Sequence, residues 1–408
     1  MTGPTVRRLD DWDRDPLQEI AETHGTPAYV IDLDRVRENL DRLQTAFPDA
    51  RLLYAVKANA GRAVLQTLAD AGVGAECASI GEVSRALEAG FDPADVQYTP
   101  VNAPARDLDG LLIDGGGTIT ITVDAMDTID RLAERGFTGD IAIRIHPGTG
   151  AGHSDAVATG ADAKFGIPVD RVPEAVAAAT ERGFDVVGLH AHAGSGILND
   201  GLAAHQEVIE TIASVATDLD TDLEFVDVGG GFGVPYRPDE EPLDLDAIAT
   251  ATREALSEVD AELRIEPGRY LVADAGVLLA RVNTVKPAGD GVLAGVDAGM
   301  TDLLRPALYD AYHPIRSLSE DRAGERETVS VVGPICESTD VLARDRRLPK
   351  PERGELYALG FTGAYGIEMA SQYNSRPRAP VIAMEDGATE LVRRRETVED
   401  VIDSEVDR

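Results

Sequence analysis

A lysine at position 57 ends an apolar run, LLYAVK (52–57), where a charged amine has no packing reason to sit. Other reactive residue types close similar runs. Cys77 and Ser79 follow VGAECA (73–78), Arg144 and His146 end IAIRI (141–145), and His190 and His192 end VVGLHAH (186–192), ahead of Gly194-Ser195-Gly196. LEFVDV (223–228) runs into Gly229, Gly230 and Gly231, and LRIEP (263–267) into Glu266-Pro-Gly-Arg269. Singly, each has a bland reading: a snorkelling surface lysine, a packed histidine, a tight glycine turn, a turn with an ion pair. Together they describe one chemistry. The glycine turn bares backbone N–H groups to a phosphate, and Arg269 and Ser195 add donors. An amine beside an anion site suits a phosphorylated aldehyde, and pyridoxal 5′-phosphate (PLP) meets that description. Lys57 would form the Schiff base, Glu266 would keep the ring nitrogen protonated, and His192 would pack on the ring face.

These residues converge only if the runs are neighbouring strands. Eight apolar runs between residues 52 and 267, which also include VQYT (96–99) and ITITV (119–123), alternate with amphipathic stretches such as GEVSRALEAG. Several of those stretches end in glycine, as helices do. Continuous apolar strands alternating with helices imply a parallel sheet. Eight of them fit a (β/α)8 TIM barrel of roughly 250 residues, whose chemistry gathers at the C-terminal ends of the strands; a doubly wound open sheet is the runner-up. After residue 271, VLLARVNTVK, ETVSVVG and ELYALG read as strands without regular helices between them. The expected organisation is an α/β barrel over residues 27–270 and a mostly β domain, sandwich- or barrel-like, from residues 1–26 and 271–408, ending in a charged, solvated helix. The β domain is expected to carry substrate and dimer-interface residues.

The 408 residues include 73 acids and 38 bases, a net charge of −35, and all but four of the bases are arginine. Such a surface repels nucleic acid and anionic membranes, and it reads as adapted to a salt-rich, halophilic cytoplasm where screening suppresses self-repulsion. The two cysteines, Cys77 and Cys336, show no metal-ligand spacing, so neither a disulfide nor a metal is expected. No apolar stretch is long enough to span a bilayer, and no signal peptide is visible. A cytoplasmic location is the expectation.

The motifs YAVKAN (54–59), GLHAHAGSGI (188–197), VDVGGGFG (226–233), EPGRY (266–270), DAGMTDLLRPALYDAYHPI (297–315), GPICESTD (333–340), TGAYGIEMASQYNSRPR (362–378) and RRRET (393–397) resemble the fold-type III PLP enzymes, the alanine racemase-like barrel group. Among them the chain is most similar to the diaminopimelate decarboxylases, over nearly its whole length. The resemblance implies that Lys57 binds the cofactor covalently, that His192 stacks on its ring and that Glu266 pairs with its nitrogen. Ser195, Gly229, Gly230, Gly231 and Tyr365 would hold its phosphate. It further implies that Arg269, Arg305 and Tyr309 grip the substrate's distal carboxylate and Glu337 its distal ammonium, with Tyr365 also in the substrate site. Cys336 would act near Cα in the protonation step. In the family Cys336 and Glu337 come from the partner subunit, so a homodimer with shared active sites is implied. Three positions depart from the common pattern: Glu76 replaces an aspartate, Gly196 replaces a frequent glutamine, and HPGTGAGHSDAVATG (146–160) is atypical.

The implied reaction is decarboxylation of meso-2,6-diaminopimelate to L-lysine and CO2, the last step of lysine biosynthesis. Paired arginines would repel the cationic tails of ornithine or arginine, which ranks those substrates, and carboxynorspermidine, second. A cofactor carrier without turnover would resemble a lone barrel, and a racemase would want an arginine where Glu266 stands.

Overall fold

A computed structural model describes residues 5–114, 117–148, 151–152, 164–289, 291–319 and 326–406. The chain divides into two compact units.

The first comprises residues 39–234 and 241–270. Its strands are Arg51–Ala55, Gly74–Cys77, Val96–Tyr98, Thr120–Val123, Ile141–His146, Val186–His190, Phe225–Asp227 and Glu262–Ile265. Each pairs in parallel with the next in sequence, and the last closes on the first through Arg264↔Arg51 and Ile265↔Leu52. The result is the expected closed eight-stranded (β/α)8 barrel, and all eight apolar runs became its strands. An open sheet of this order would have left Thr120–Val123 and Ile141–His146 as edges unpaired with each other; instead Ile121 faces Ile141. The connecting helices follow their local signals. Ile80–Ala89 begins at Ser79, whose side chain accepts from Glu82 N, and ends at Gly90 in the left-handed region at φ 107°. Val186–His190 is buried along its whole length, as a strand with layers on both faces must be. Gly188 is required there, since a Cβ would lie 2.4 Å from the Phe225 ring.

The second unit comprises residues 1–38, 235–240 and 271–408, and it is mostly β, as expected. Its long strand Gly276–Ala288 pairs with Gly291–Val296, with Leu356–Leu359 and with Ala28–Asp32. The N-terminal boundary differs from expectation. The expected barrel span begins at residue 27, but Ala28–Asp32 pairs antiparallel with Gly276–Leu279 and parallel with Val381–Met384. The run AYVID therefore buries itself between two β-unit strands, and the helix Arg14–His24 adds Leu17, Ile20 and Ala21 to a core with Val30, Val277 and Leu279. A buried ion pair, Arg35 Nη2 to Asp274 Oδ2 at 2.7 Å, ties residue 35 to the same unit. The tail forms only a short helix, Val398–Ile402, capped by Thr397.

Candidate functional site

Strand order places the candidate residues of the barrel unit at one end. Lys57 lies in the 3-10 turn Val56–Ala58, directly after the strand Arg51–Ala55. The adjoining strand brings Glu76 opposite Ala55, and the Lys57 ammonium pairs with the buried Glu76 carboxylate. That glutamate, legible in the sequence only as a departure from a pattern, is the partner that orients the lysine. Most of the atypical segment 146–160 lies outside the described residues.

Glycine residues 229–231 are compelled by close approach as well as by the turn. Gly229 adopts φ 71° and Gly231 φ 97°. A Cβ on Gly230 would stand 2.1 Å from the Glu266 carbonyl oxygen, and one on Gly229 2.6 Å from His192 Nδ1. The turn is pinned from below, because Gly229 N–H donates to Asp227 Oδ1 at 2.8 Å. From the side, Gly230 N–H donates to His192 Nδ1 at 3.2 Å. A ring nitrogen that accepts carries no hydrogen, so a neutral His192 holds its proton on Nε2. Burial, with Arg144 and Lys57 adding to it, pushes the His192 pKa well below the ordinary value and keeps the imidazole neutral. Beside the turn, Arg269 Nη2 donates to Ser195 Oγ at 3.0 Å.

Glu266 is 4% exposed and rests on His190, which the sequence marked without a role, and on Gln97 and Asp227, which it did not single out. His190 Nε2 lies 3.3 Å from its Oε2, and Gln97 Nε2 reaches both Glu266, at 3.5 Å, and Asp227, at 2.9 Å. Three buried acids crowd here. Burial first, and the Glu76 charge second, raise the Glu266 carboxyl far above the usual range. Burial and Glu266 push Asp227 up to about 7. Burial lowers His190 to about 4, so the imidazole is neutral and its contact with Glu266 is a hydrogen bond, not an ion pair. Ligand atoms of His190, Asp227 and Glu266 lie within 4.8 Å of one another. The Asp227 oxygens are already taken by Gly229 and Gln97, which makes the cluster a hydrogen-bonded bed for Glu266. The signal for Asp227 was present in the sequence: an aspartate inside an otherwise apolar strand, FVDV, demands a partner.

The unit thus combines a lysine, a glycine turn packed too closely on His192 and Glu266 for any side chain, two polar groups, Ser195 and Arg269, beside it, and a buried acid with a high pKa. This set fits PLP. The cradle suits a phosphate, and an acid that is reluctant to ionise alone gains its charge when a pyridine nitrogen shares its proton.

The remaining candidates lie in the β unit. Arg305 is 3% exposed and opens the short helix Arg305–Tyr309, which ends at Asp310 with φ 51°. Tyr365 is half-buried at φ 56°. Cys336 and Glu337 are exposed on a loop anchored by Asp340, whose carboxylate accepts from Met300 N and Ile335 N at 2.6 Å each. Gly333 leaves the room, since a Cβ there would meet the Asp340 carboxylate at 2.4 Å. Cys336 Sγ lies 3.4 Å from Asn374 Oδ1, and Tyr373 donates its hydroxyl hydrogen to Glu337.

Comparison with known proteins agrees with this geometry. Residues 33–273 match the family profile of the pyridoxal-dependent decarboxylases, pyridoxal binding domain. The diaminopimelate decarboxylase of Methanothermobacter thermautotrophicus is 41% identical over 399 residues, covering 94% of this chain and 92% of that protein. That of Deinococcus radiodurans is 39% identical, covering 96% and 99%. The crystal structure of diaminopimelate decarboxylase from Helicobacter pylori complexed with L-lysine superposes with a TM-score of 0.89 at 35% identity, over 95% of this chain and 98% of that one. A cradle and a buried acid around a lysine, on a barrel shared at this level along almost the full length, leave one assignment: the chain belongs to the pyridoxal-dependent decarboxylases, in the diaminopimelate decarboxylase family.

Proposed function

We propose that the protein decarboxylates meso-2,6-diaminopimelate to L-lysine and CO2. Similarity along the whole chain to diaminopimelate decarboxylases supports this. What supports the substrate is that the β unit offers both a buried cation, Arg305, and an exposed acid, Glu337. Only a distal end bearing both a carboxylate and an ammonium uses both charges.

PLP, when bound, supplies the electron sink for the pair released as CO2 leaves. Lys57 Nζ would hold it covalently, with Glu76 orienting the amine. Ser195, Tyr365 and the turn of Gly229, Gly230 and Gly231 would line the phosphate, with Arg269 fixing Ser195; unlike the sequence expectation, the Gly229 and Gly230 N–H groups are engaged by Asp227 and His192. His192 would lie against the ring, neutral and with its hydrogen on Nε2. Glu266 would hold a proton at the ring nitrogen. Arg269, Arg305 and Tyr309 would bind the distal carboxylate, Glu337 the distal ammonium, and Cys336 Sγ would deliver the proton to Cα. The acid excess supports a salt-rich working medium, and among the described residues no helix is long and apolar enough to cross a membrane. The same acid excess disfavours nucleic acid and anionic membranes as partners, and we infer a cytoplasmic enzyme.

The direct test is CO2 release in molar salt with added PLP. Diaminopimelate should exceed ornithine, arginine and carboxynorspermidine in kcat/KM by on the order of 10²-fold or more, because a site built for a polar group rejects analogues that leave it unpaired. Comparable rates on ornithine would refute the assignment.

The exposed loop carrying Cys336 and Glu337 supports the homodimer, in which each chain would complete its partner's site. Lys57→Arg and Glu337→Ala proteins, inactive alone, should then recover activity when unfolded together and refolded as a mixture. Mixed dimers would contain one site with both native residues. No recovery, with each variant shown to fold and dimerise, would place Glu337 in its own chain's site.

A further inference from the structure

We propose that His313, together with Tyr236, is a positioning residue for Arg305 and thereby sets the enzyme's demand for a distal carboxylate. The proposal rests on the reading above that Arg305 binds that carboxylate.

His313 is fully buried. Its Nδ1 lies 2.8 Å from the Gly360 carbonyl oxygen and its Nε2 3.0 Å from Arg305 Nη1. A carbonyl can only accept, so Nδ1 carries the hydrogen. A guanidinium can only donate, so Nε2 must present its lone pair. The two neighbours together select one neutral tautomer of His313, and that tautomer is the one that can hold an arginine. The frame behind it is rigid. The strand Ile315–Ser317 pairs with Leu356–Leu359, and Gly360 N–H donates to the Pro314 carbonyl at 2.9 Å, so His313 and Gly360 are joined through a sheet. Tyr236 completes the clamp. The Arg305 guanidinium lies over its ring at 4.8 Å, and the His313 ring meets it edge-on, at 5.5 Å and 84°. Tyr236 in turn packs on Phe361 at 5.3 Å. The guanidinium is thus held at one edge by a lone pair and on one face by a π system, which pre-orients its fork for a carboxylate and reduces the ordering cost of binding.

The test uses two ligands that differ by the carboxylate: L-lysine, which carries it, and 1,5-diaminopentane, which does not. In the His313→Leu holoenzyme, KM for diaminopimelate and the inhibition constant of L-lysine should both rise about 10-fold, the value of one hydrogen bond to a charged group. The constant for 1,5-diaminopentane should stay put, and the loss should appear in KM rather than kcat. His313→Gln, which keeps a donor and an acceptor, should recover most of the affinity. Tyr236→Leu should shift the same two constants as His313→Leu, and it provides the comparison if the leucine variant folds poorly. Equal weakening of both inhibitors, or a fall in kcat with KM unchanged, would show that His313 is merely structural and overturn the proposal. Arg305→Leu serves as the control. If it leaves the L-lysine constant unchanged, the role of Arg305 itself is wrong; if it raises it while the His313 and Tyr236 variants do not, only the positioning argument fails.

Discussion

Lys57→Arg is expected to lose decarboxylation by on the order of 10⁴-fold, the upper end of what a positioned proton-transfer group supplies, because the same amine must also bind the cofactor covalently. Arginine is the informative replacement. Glu76 is buried and its carboxylate pairs with Lys57; alanine would strand that acid without its cation and would confuse lost chemistry with lost folding. An arginine keeps the charge but cannot condense with an aldehyde, since its guanidinium stays protonated. The second readout does not depend on turnover. Borohydride treatment of the native holoenzyme should leave a cofactor-sized adduct on the peptide containing Lys57, and none in the variant. An adduct at Lys164, Lys286 or Lys350 instead would overturn the placement of the cofactor.

Glu266→Gln should lower kcat by about 10²–10³-fold while PLP stays bound, since a neutral amide cannot balance a protonated ring nitrogen in a dry site. The cradle of glycines 229–231 and Lys57 are untouched by the change. Stability supplies a second readout. Burial raises both Glu266 and Asp227 in the folded protein, with the Glu76 charge adding to it at Glu266 and Glu266 adding to it at Asp227, which reaches about 7, against roughly 4 in an unfolded chain. A raised acid favours the folded state when protonated. Its contribution is therefore complete below about pH 4 and is lost as pH climbs through the folded value. The cofactor-free protein should accordingly lose thermal stability between about pH 5 and 8. In Glu266→Gln one of the two acids is gone and Asp227 has lost a repelling neighbour, so the decline should be shallower. Parallel pH profiles of Tm would show that the two carboxyls do not share their charge as the geometry implies.

The barrel was legible because its strands are bounded apolar runs separated by amphipathic, glycine-ended helices, and each of these signals is local. The N-terminal boundary was not. AYVID reads as a barrel strand as readily as any other, and only its long-range pairing with Gly276–Leu279 and Val381–Met384 assigns it to the β unit. The site shows the same division. Lys57, the glycine turn and Glu266 stand out by type and spacing, since a rare lysine, three consecutive glycines and an acid at a strand end are anomalies within their own segments. Asp227, Gln97 and His190 are less conspicuous, and their role depends on three adjoining strands and on a fourth, that of Gln97, reaching across the barrel.

By itself, then, the amino-acid order determined the barrel and the cofactor chemistry, because apolar periodicity and glycine placement act over a few residues; the family followed from the resemblance of its motifs. Tertiary structure alone decided which groups touch. It set Glu76 against Lys57, laid His190 and Gln97 beneath Glu266, and closed His313 between Gly360 and Arg305. Those pairings join residues up to 169 positions apart. Proton positions follow from them, since burial and a specific neighbour, rather than residue type, choose the charge state of an acid and the tautomer of a histidine.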